Sequence, residues 1–142
     1  MGALTNTRRV RIEWGDCDPM GIVFFPRYLV MCDVSTHYLF ERALGMTKPQ
    51  MMQVYDVAGF PLVDVRARFL VPTRFDDDVD IASKIGEFRR SSFVVEHRLF
   101  KGQELAVECF ETRVWIRRNP DDPDAMQSQP VPDAVKARFE VA

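Results

Sequence analysis

The sequence predicts an α+β fold in which a curved antiparallel sheet of five strands wraps one long central helix. Three observations carry the prediction. Residues 26–44 read as a single helix whose apolar positions include Tyr28, Leu29, Val30, Met31, Cys32, Val34, Tyr38, Leu39, Phe40, Ala43 and Leu44, wider than the stripe of a surface helix. Period-two alternation of apolar and polar residues precedes this helix once and resumes after Pro61. The 142 residues, 46% hydrophobic, suit one domain over 1–142 that buries its core without disulfide or metal staples. A sheet curled around such a helix buries it on most sides.

The elements follow in order. Val10, Ile12 and Trp14 alternate with Arg11 and Glu13, the pattern of a half-buried strand ending at Gly15. Asp16-Cys17-Asp18-Pro19-Met20-Gly21 is rich in turn formers, and Pro26 suits the first turn of the helix. Gly45 stops that helix, with Pro49 just beyond, and a short second helix fits 50–55. Val63, Val65, Ala67 and Phe69 form the next strand, and Asp76, Asp77 and Asp78 mark the connection to one carrying Val79, Ile81 and Ile85. Two strands over 92–100 and 104–117 flank a hairpin turn at Gly102-Gln103. In the last of them the apolar phase slips from Leu105, Val107 and Cys109 to Phe110, Val114 and Ile116, which predicts a bulge near Phe110. Residues 119–132 read as a proline- and aspartate-rich loop, and 134–139 as a short terminal helix.

Composition excludes several functions. With 19 basic against 21 acidic side chains and a net charge of -2, the chain lacks the cationic excess that nucleic acid or an anionic membrane surface demands. No apolar run reaches the roughly 18 residues of a membrane span, and residues 1–11 lack a signal-peptide core, so a cytoplasmic protein is expected. Cys17, Cys32 and Cys109 are odd in number and scattered, which suggests reduced thiols and neither a disulfide framework nor a zinc site. Asp76, Asp77, Asp78 and Asp80 lack the glycine and distal glutamate of a calcium loop and read as a solvated turn, so no metal is expected. Two sheet edges and a helix this apolar argue for more than one copy.

Candidate chemistry centres on 15–23. Asp16 and Asp18 lie in a tight loop that runs into a helix start, where unpaired N–H groups can hold an oxyanion. A carboxylate beside such donors can attack a carbonyl or draw a proton from water while the N–H groups around 20–25 stabilise the tetrahedral charge. The same aspartates equally suit turn and helix capping, and spacing does not choose between the two. Cys17 is a weak nucleophile candidate, and His37 and His97 have no partner at motif spacing and read as helix-surface and strand-face residues. Arg89-Arg90-Ser91-Ser92, at a predicted turn, offers two guanidinium groups and two hydroxyls to phosphate, or is an ordinary solvated hairpin turn.

Gly15-Asp16-Cys17-Asp18-Pro19, followed by Gly21-Ile22-Val23 and Pro26-x-Tyr28, closely resembles the signature of the hotdog-fold 4-hydroxybenzoyl-CoA thioesterases of the Pseudomonas type. Residues 87–94 resemble that family's coenzyme A segment. The resemblance implies a hotdog fold and hydrolysis of an acyl-CoA. It makes Asp18 the catalytic carboxylate, the Phe25 backbone N–H the oxyanion donor, and Asp33 the acceptor of a phenolic hydroxyl from the neighbouring subunit's side, with Phe24 on the acyl pocket wall. It gives Arg89, Arg90, Ser91 and Ser92 to the phosphates of coenzyme A, which belongs to the substrate, so no cofactor is expected. It also implies a homotetramer built as a dimer of hotdog dimers. Phe24-Phe25 stands where that family has Trp-Tyr, and Ser91 replaces a lysine. Pro26 stands where related short-chain thioesterases carry a histidine, which with Asp33 favours an aromatic acyl group. A non-catalytic module holding an acyl-CoA or an acyl-carrier thioester is the alternative; dehydration of a hydroxyacyl thioester lacks a matching histidine.

Overall fold

The computed structural model describes residues 2–141. In chain order the elements are β1 (Gly2–Ala3), β2 (Asn6–Arg11), α1 (Phe25–Leu44), α2 (Lys48–Tyr55), β3 (Leu62–Phe69), β4 (Asp78–Phe88), β5 (Ser92–Lys101), β6 (Glu104–Val114), β7 (Ile116–Asn119), β8 (Asp122–Ser128), α3 (Asp133–Ala137) and β9 (Glu140–Val141). The main sheet has five antiparallel strands in the order β2-β4-β5-β6-β3, and its inner face packs on α1. This is the predicted architecture.

Helix α1 begins with Pro26 in its first turn and ends where Gly45 turns left-handed at φ 68°, its N–H donating to the Glu41 carbonyl. Tyr28, Met31, Cys32, Ser35, Thr36, Leu39, Phe40, Ala43 and Leu44 face the sheet. Val30, Val34 and Tyr38 remain on an exposed face, so the single chain wraps the helix less completely than its composition suggests. Helix α2 starts two residues earlier than expected because Thr47 and Gln50 cap it reciprocally.

Five expectations need correction. The first long strand is β2, not 10–14: the Glu13 N–H bonds to Asp16 and folds Trp14–Asp16 into a short turn, which leaves Trp14 71% exposed against Phe75. The bulge in β6 lies at Ala106, because Leu99 pairs with Val107 while Phe100 pairs with Leu105. Beyond it the inward phase runs unbroken through Val107, Cys109, Glu111 and Arg113, and the apparent slip at Phe110 arises because two charged residues occupy inward positions. The strand predicted to reach 117 ends at Val114, and much of the predicted 119–132 loop is β8, paired with β7. That ribbon is mostly exposed, so its sequence lacks the alternation a half-buried strand requires. The terminal helix is shorter than 134–139, although Phe139 is still buried in the core.

The core has two apolar parts. One gathers Leu39, Phe40, Phe60, Phe93, Val95 and Trp115, the other Ile12, Tyr28, Met31, Val79, Ile81, Leu99 and Val107. Thr36, Ser83, His97 and Glu111, each no more than 2% exposed, are buried alongside them.

Candidate active site

Residues 16–24 form a loop closed on itself. The Phe24 N–H donates to the Asp16 carbonyl (2.8 Å), the Asp18 N–H to the Ile22 carbonyl (2.9 Å), and the Gly21 N–H to the Asp18 carbonyl (2.9 Å). Gly21 sits at φ 80°, where a residue with a Cβ is strained. The Val23 N–H donates to the Thr73 carbonyl, and Tyr28 on α1 bonds to the Thr73 hydroxyl and N–H, so the loop is tied to the helix and to the segment before β4.

This closure holds Asp18 opposite Ile22 in the loop that leads into α1. One Asp18 carboxylate oxygen accepts the Met20 N–H at 2.8 Å, an Asx turn, and the carboxylate has no other hydrogen bond among the described residues. Phe25 opens the helix, and its N–H has no acceptor among the described residues. A free first-turn N–H carries the positive end of the helix dipole. Asp16 is occupied differently, accepting from the Glu13 N–H and facing Arg27 at 3.7 Å. Of the two aspartates, Asp18 is therefore the one with a carboxylate oxygen to spare. Beside it, Ile22, Phe25, Tyr28, Phe69, Leu70 and Pro72 line an apolar recess of about 280 Å³, and Phe24 lies half-exposed against Phe25.

The other predicted residues lie elsewhere. Asp33, eight residues further along α1, sits roughly 12 Å up the helix axis from Phe25. One of its oxygens accepts from Arg113 at 2.7 Å, and the other lies 3.8 Å from His37. Arg89, Arg90, Ser91 and Ser92 form the β4–β5 turn, with Arg89 paired to Glu87 at 3.1 Å and the Arg90 and Ser91 carbonyls accepting from Val131 and Trp115. The Asp18 loop is tied to Thr73, ahead of β4, whereas this turn follows the far end of that 11-residue strand, roughly 30 Å long, so one chain does not unite the turn with Asp18.

Sequence reasoning missed the residues behind Asp33. Arg113 donates two hydrogen bonds to Glu111 (2.9 and 3.2 Å), one to Asp33, and one to the Phe60 carbonyl (3.2 Å). Burial alone would raise the Glu111 carboxyl, but hydrogen bonds from His97, Arg113 and Thr36 outweigh it and hold it at about 2. His97, read as a strand-face residue, is fully buried between Ser83 (2.7 Å) and Glu111 (3.0 Å). The signal was present as Glu111 and Arg113 in phase with Val107 and Cys109. Lys48 was also missed; its ammonium stands 4.7 Å from the Phe60 ring centre. Asp76, Asp77 and Asp80 pair with Arg11, Lys101 and Arg9, and no metal-binding cluster occurs among the described residues.

The thioesterase-like superfamily model matches residues 12–139. The chain is 37% identical to 4-hydroxybenzoyl-CoA thioesterase of Pseudomonas sp. (strain CBS-3) over 80% of this chain and 84% of that protein. It is 26% identical to 1,4-dihydroxy-2-naphthoyl-CoA hydrolase of Synechococcus sp. (strain WH7803), over 98% and 90%. An X-ray structure of a 4-hydroxybenzoyl-CoA thioesterase variant, with one aspartate replaced by asparagine and 4-hydroxybenzoyl-CoA bound, superposes with a TM-score of 0.87 at 28% identity, covering 96% of this chain and 99% of that one. With the sheet-around-helix architecture and a family match over most of its length, the chain belongs to the thioesterase-like superfamily of hotdog proteins.

Proposed function

We propose that this protein hydrolyses an acyl-CoA thioester with an aromatic, hydroxyl-bearing acyl group, releasing the free acid and coenzyme A. The observation that carries the reading is the Asp18 carboxylate, with an oxygen to spare, in a closed loop that leads directly into α1, where the Phe25 N–H has no acceptor among the described residues. Asp18 either attacks the thioester carbonyl, giving an acyl-aspartyl anhydride that water then opens, or takes a proton from a water that attacks the carbonyl directly. The Phe25 N–H donates a hydrogen bond to the oxyanion that develops, and the carbon–sulfur bond breaks as the coenzyme A thiolate leaves. Arg89, Arg90, Ser91 and Ser92 take the nucleotide phosphates, Phe24 borders the acyl group, and Asp33 accepts its hydroxyl. Relatives that act on 4-hydroxybenzoyl-CoA and 1,4-dihydroxy-2-naphthoyl-CoA support the aromatic class.

The reading includes a homo-oligomer, a dimer of hotdog dimers. Asp18, Asp33 and the Arg89 turn lie apart in one chain, so a complete site draws on more than one copy. Strand β3 supports this: it is a sheet edge whose Leu62, Val63, Val65 and Phe69 are all at least 37% exposed, a surface suited to a second copy.

The Asx turn on Asp18 favours a second reading, a binding module in which that residue only caps its loop. Free-thiol release from a panel of acyl-CoA esters separates the two. Hydrolysis by the wild type that Asp18→Asn abolishes, with fold and coenzyme A binding kept, supports the enzyme. Binding without release supports the module.

A further inference from the structure

The inner face of the sheet carries a polar stripe that its apolar neighbours do not account for. Ser83 on β4, His97 on β5 and Glu111 on β6 are linked by hydrogen bonds, and Thr36 on α1 donates to Glu111. All four lie within the core. Placing an ionised carboxylate and a guanidinium there costs desolvation that well-packed apolar residues of similar size would avoid. The stripe leads out of the core at one point. Arg113, 3% exposed, joins buried Glu111 to half-exposed Asp33.

The outer end has a defined shape. One Asp33 oxygen is held by Arg113, while the other, 3.8 Å from His37, has no hydrogen bond among the described residues. Asp33, His37, Lys48, Phe60 and Arg113 border a groove of about 390 Å³. Phe60 itself is buried beneath the groove, stacked on His37 at 5.4 Å and fixed through its carbonyl to Arg113, while exposed Pro61, Leu62 and Met126 supply the apolar wall. An apolar wall next to one oriented acceptor complements an apolar group bearing one O–H donor. We infer that Arg113, braced by the Glu111-His97-Thr36 network, is the positioning residue that fixes the free oxygen of Asp33 and so sets discrimination for a hydroxylated aromatic acyl group. This rests on the proposed reading of Asp33 as the residue that meets the acyl group. A planar guanidinium suits the task because it serves both carboxylates and the Phe60 carbonyl at once.

The test measures binding, so it does not depend on hydrolysis. Two non-hydrolysable thioethers, 4-hydroxyphenacyl-CoA and phenacyl-CoA, are titrated calorimetrically into the wild type, Asp33→Ala and the double variant Glu111→Gln/Arg113→Gln. The double variant removes both buried charges together, and thermal melting checks that it folds. The wild type is expected to favour the hydroxylated probe by on the order of ten- to a hundred-fold, as for a hydrogen bond to a charged group. Both variants should lose most of that preference, chiefly through weaker binding of the hydroxylated probe. Equal weakening of both probes in the double variant would reduce Arg113 to a structural role and overturn the inference. So would an unchanged preference, or a wild type with none; if the double variant does not fold, Arg113→Lys, which keeps the charge but not the planar fork that serves both carboxylates, decides by the same criteria. Hydrolysis of acyl-CoA esters by the wild type, measured alongside, fails separately if the thioesterase reading is wrong.

Discussion

Replacing Glu111 with glutamine tests the buried network through its pH dependence. Glu111 ionises at about 2 in the fold against 4.5 for the free side chain. At 1.36 kcal/mol per pH unit, that difference contributes about 3 kcal/mol of stability, an order-of-magnitude figure. The folded value is the depressed one, so the contribution is complete above pH 4.5 and is lost as pH falls toward 2. By pH 3 about 2 kcal/mol of it is gone. Glu111→Gln cannot titrate, and at pH 7 it also costs about 3 kcal/mol or more by leaving Arg113 without its buried partner. Urea denaturation of both proteins, followed by circular dichroism at pH 7 and pH 3, gives the two stabilities. The gap between them is expected to narrow by about 2 kcal/mol at the lower pH, since the remaining carboxylates titrate in both proteins. A gap that stays constant would show that Glu111 is not held ionised by His97, Arg113 and Thr36, and the reasoning would fail.

Three further outcomes are expected. Arg89→Ala and Arg90→Ala each raise KM for acyl-CoA esters by about ten-fold with little change in kcat, because they remove charge-assisted bonds remote from the reacting carbonyl; steady-state kinetics against an acyl-pantetheine ester, which lacks the nucleotide, provides the comparison. Gly21→Ala costs about 1 to 2 kcal/mol through backbone strain at φ 80° and lowers kcat by shifting the loop that holds Asp18, read by melting temperature and initial rate. Val65→Lys on the β3 edge lowers the oligomeric mass measured by light scattering, whereas a monomeric wild type would remove the shared-site proposal.

Local patterns foretold most of the framework. Gly45 and Pro26 bound α1 at nearly the expected residues, and the Gly102 hairpin lies where its turn chemistry put it. Regular alternation located β4 and β5, since each has one face on the core and one outside. It failed at β6, where Glu111 and Arg113 take inward positions, and at β8, where neither face is well buried.

Fold class, family resemblance and the loop that carries Asp18 are legible along the chain, because each depends on residues close together in sequence. Three-dimensional packing settles that Asp18 keeps an oxygen to spare while Asp16 does not, and that Asp33 answers to Arg113, 80 residues away. It also settles that His97 belongs to the core and that the Arg89 turn lies far from Asp18. Pattern reading assigns charged residues to solvent by default, since burying one alone is costly. Only when the strands are in register do Glu111, Arg113 and His97 come close enough to offset that cost, and register joins residues that no local spacing connects.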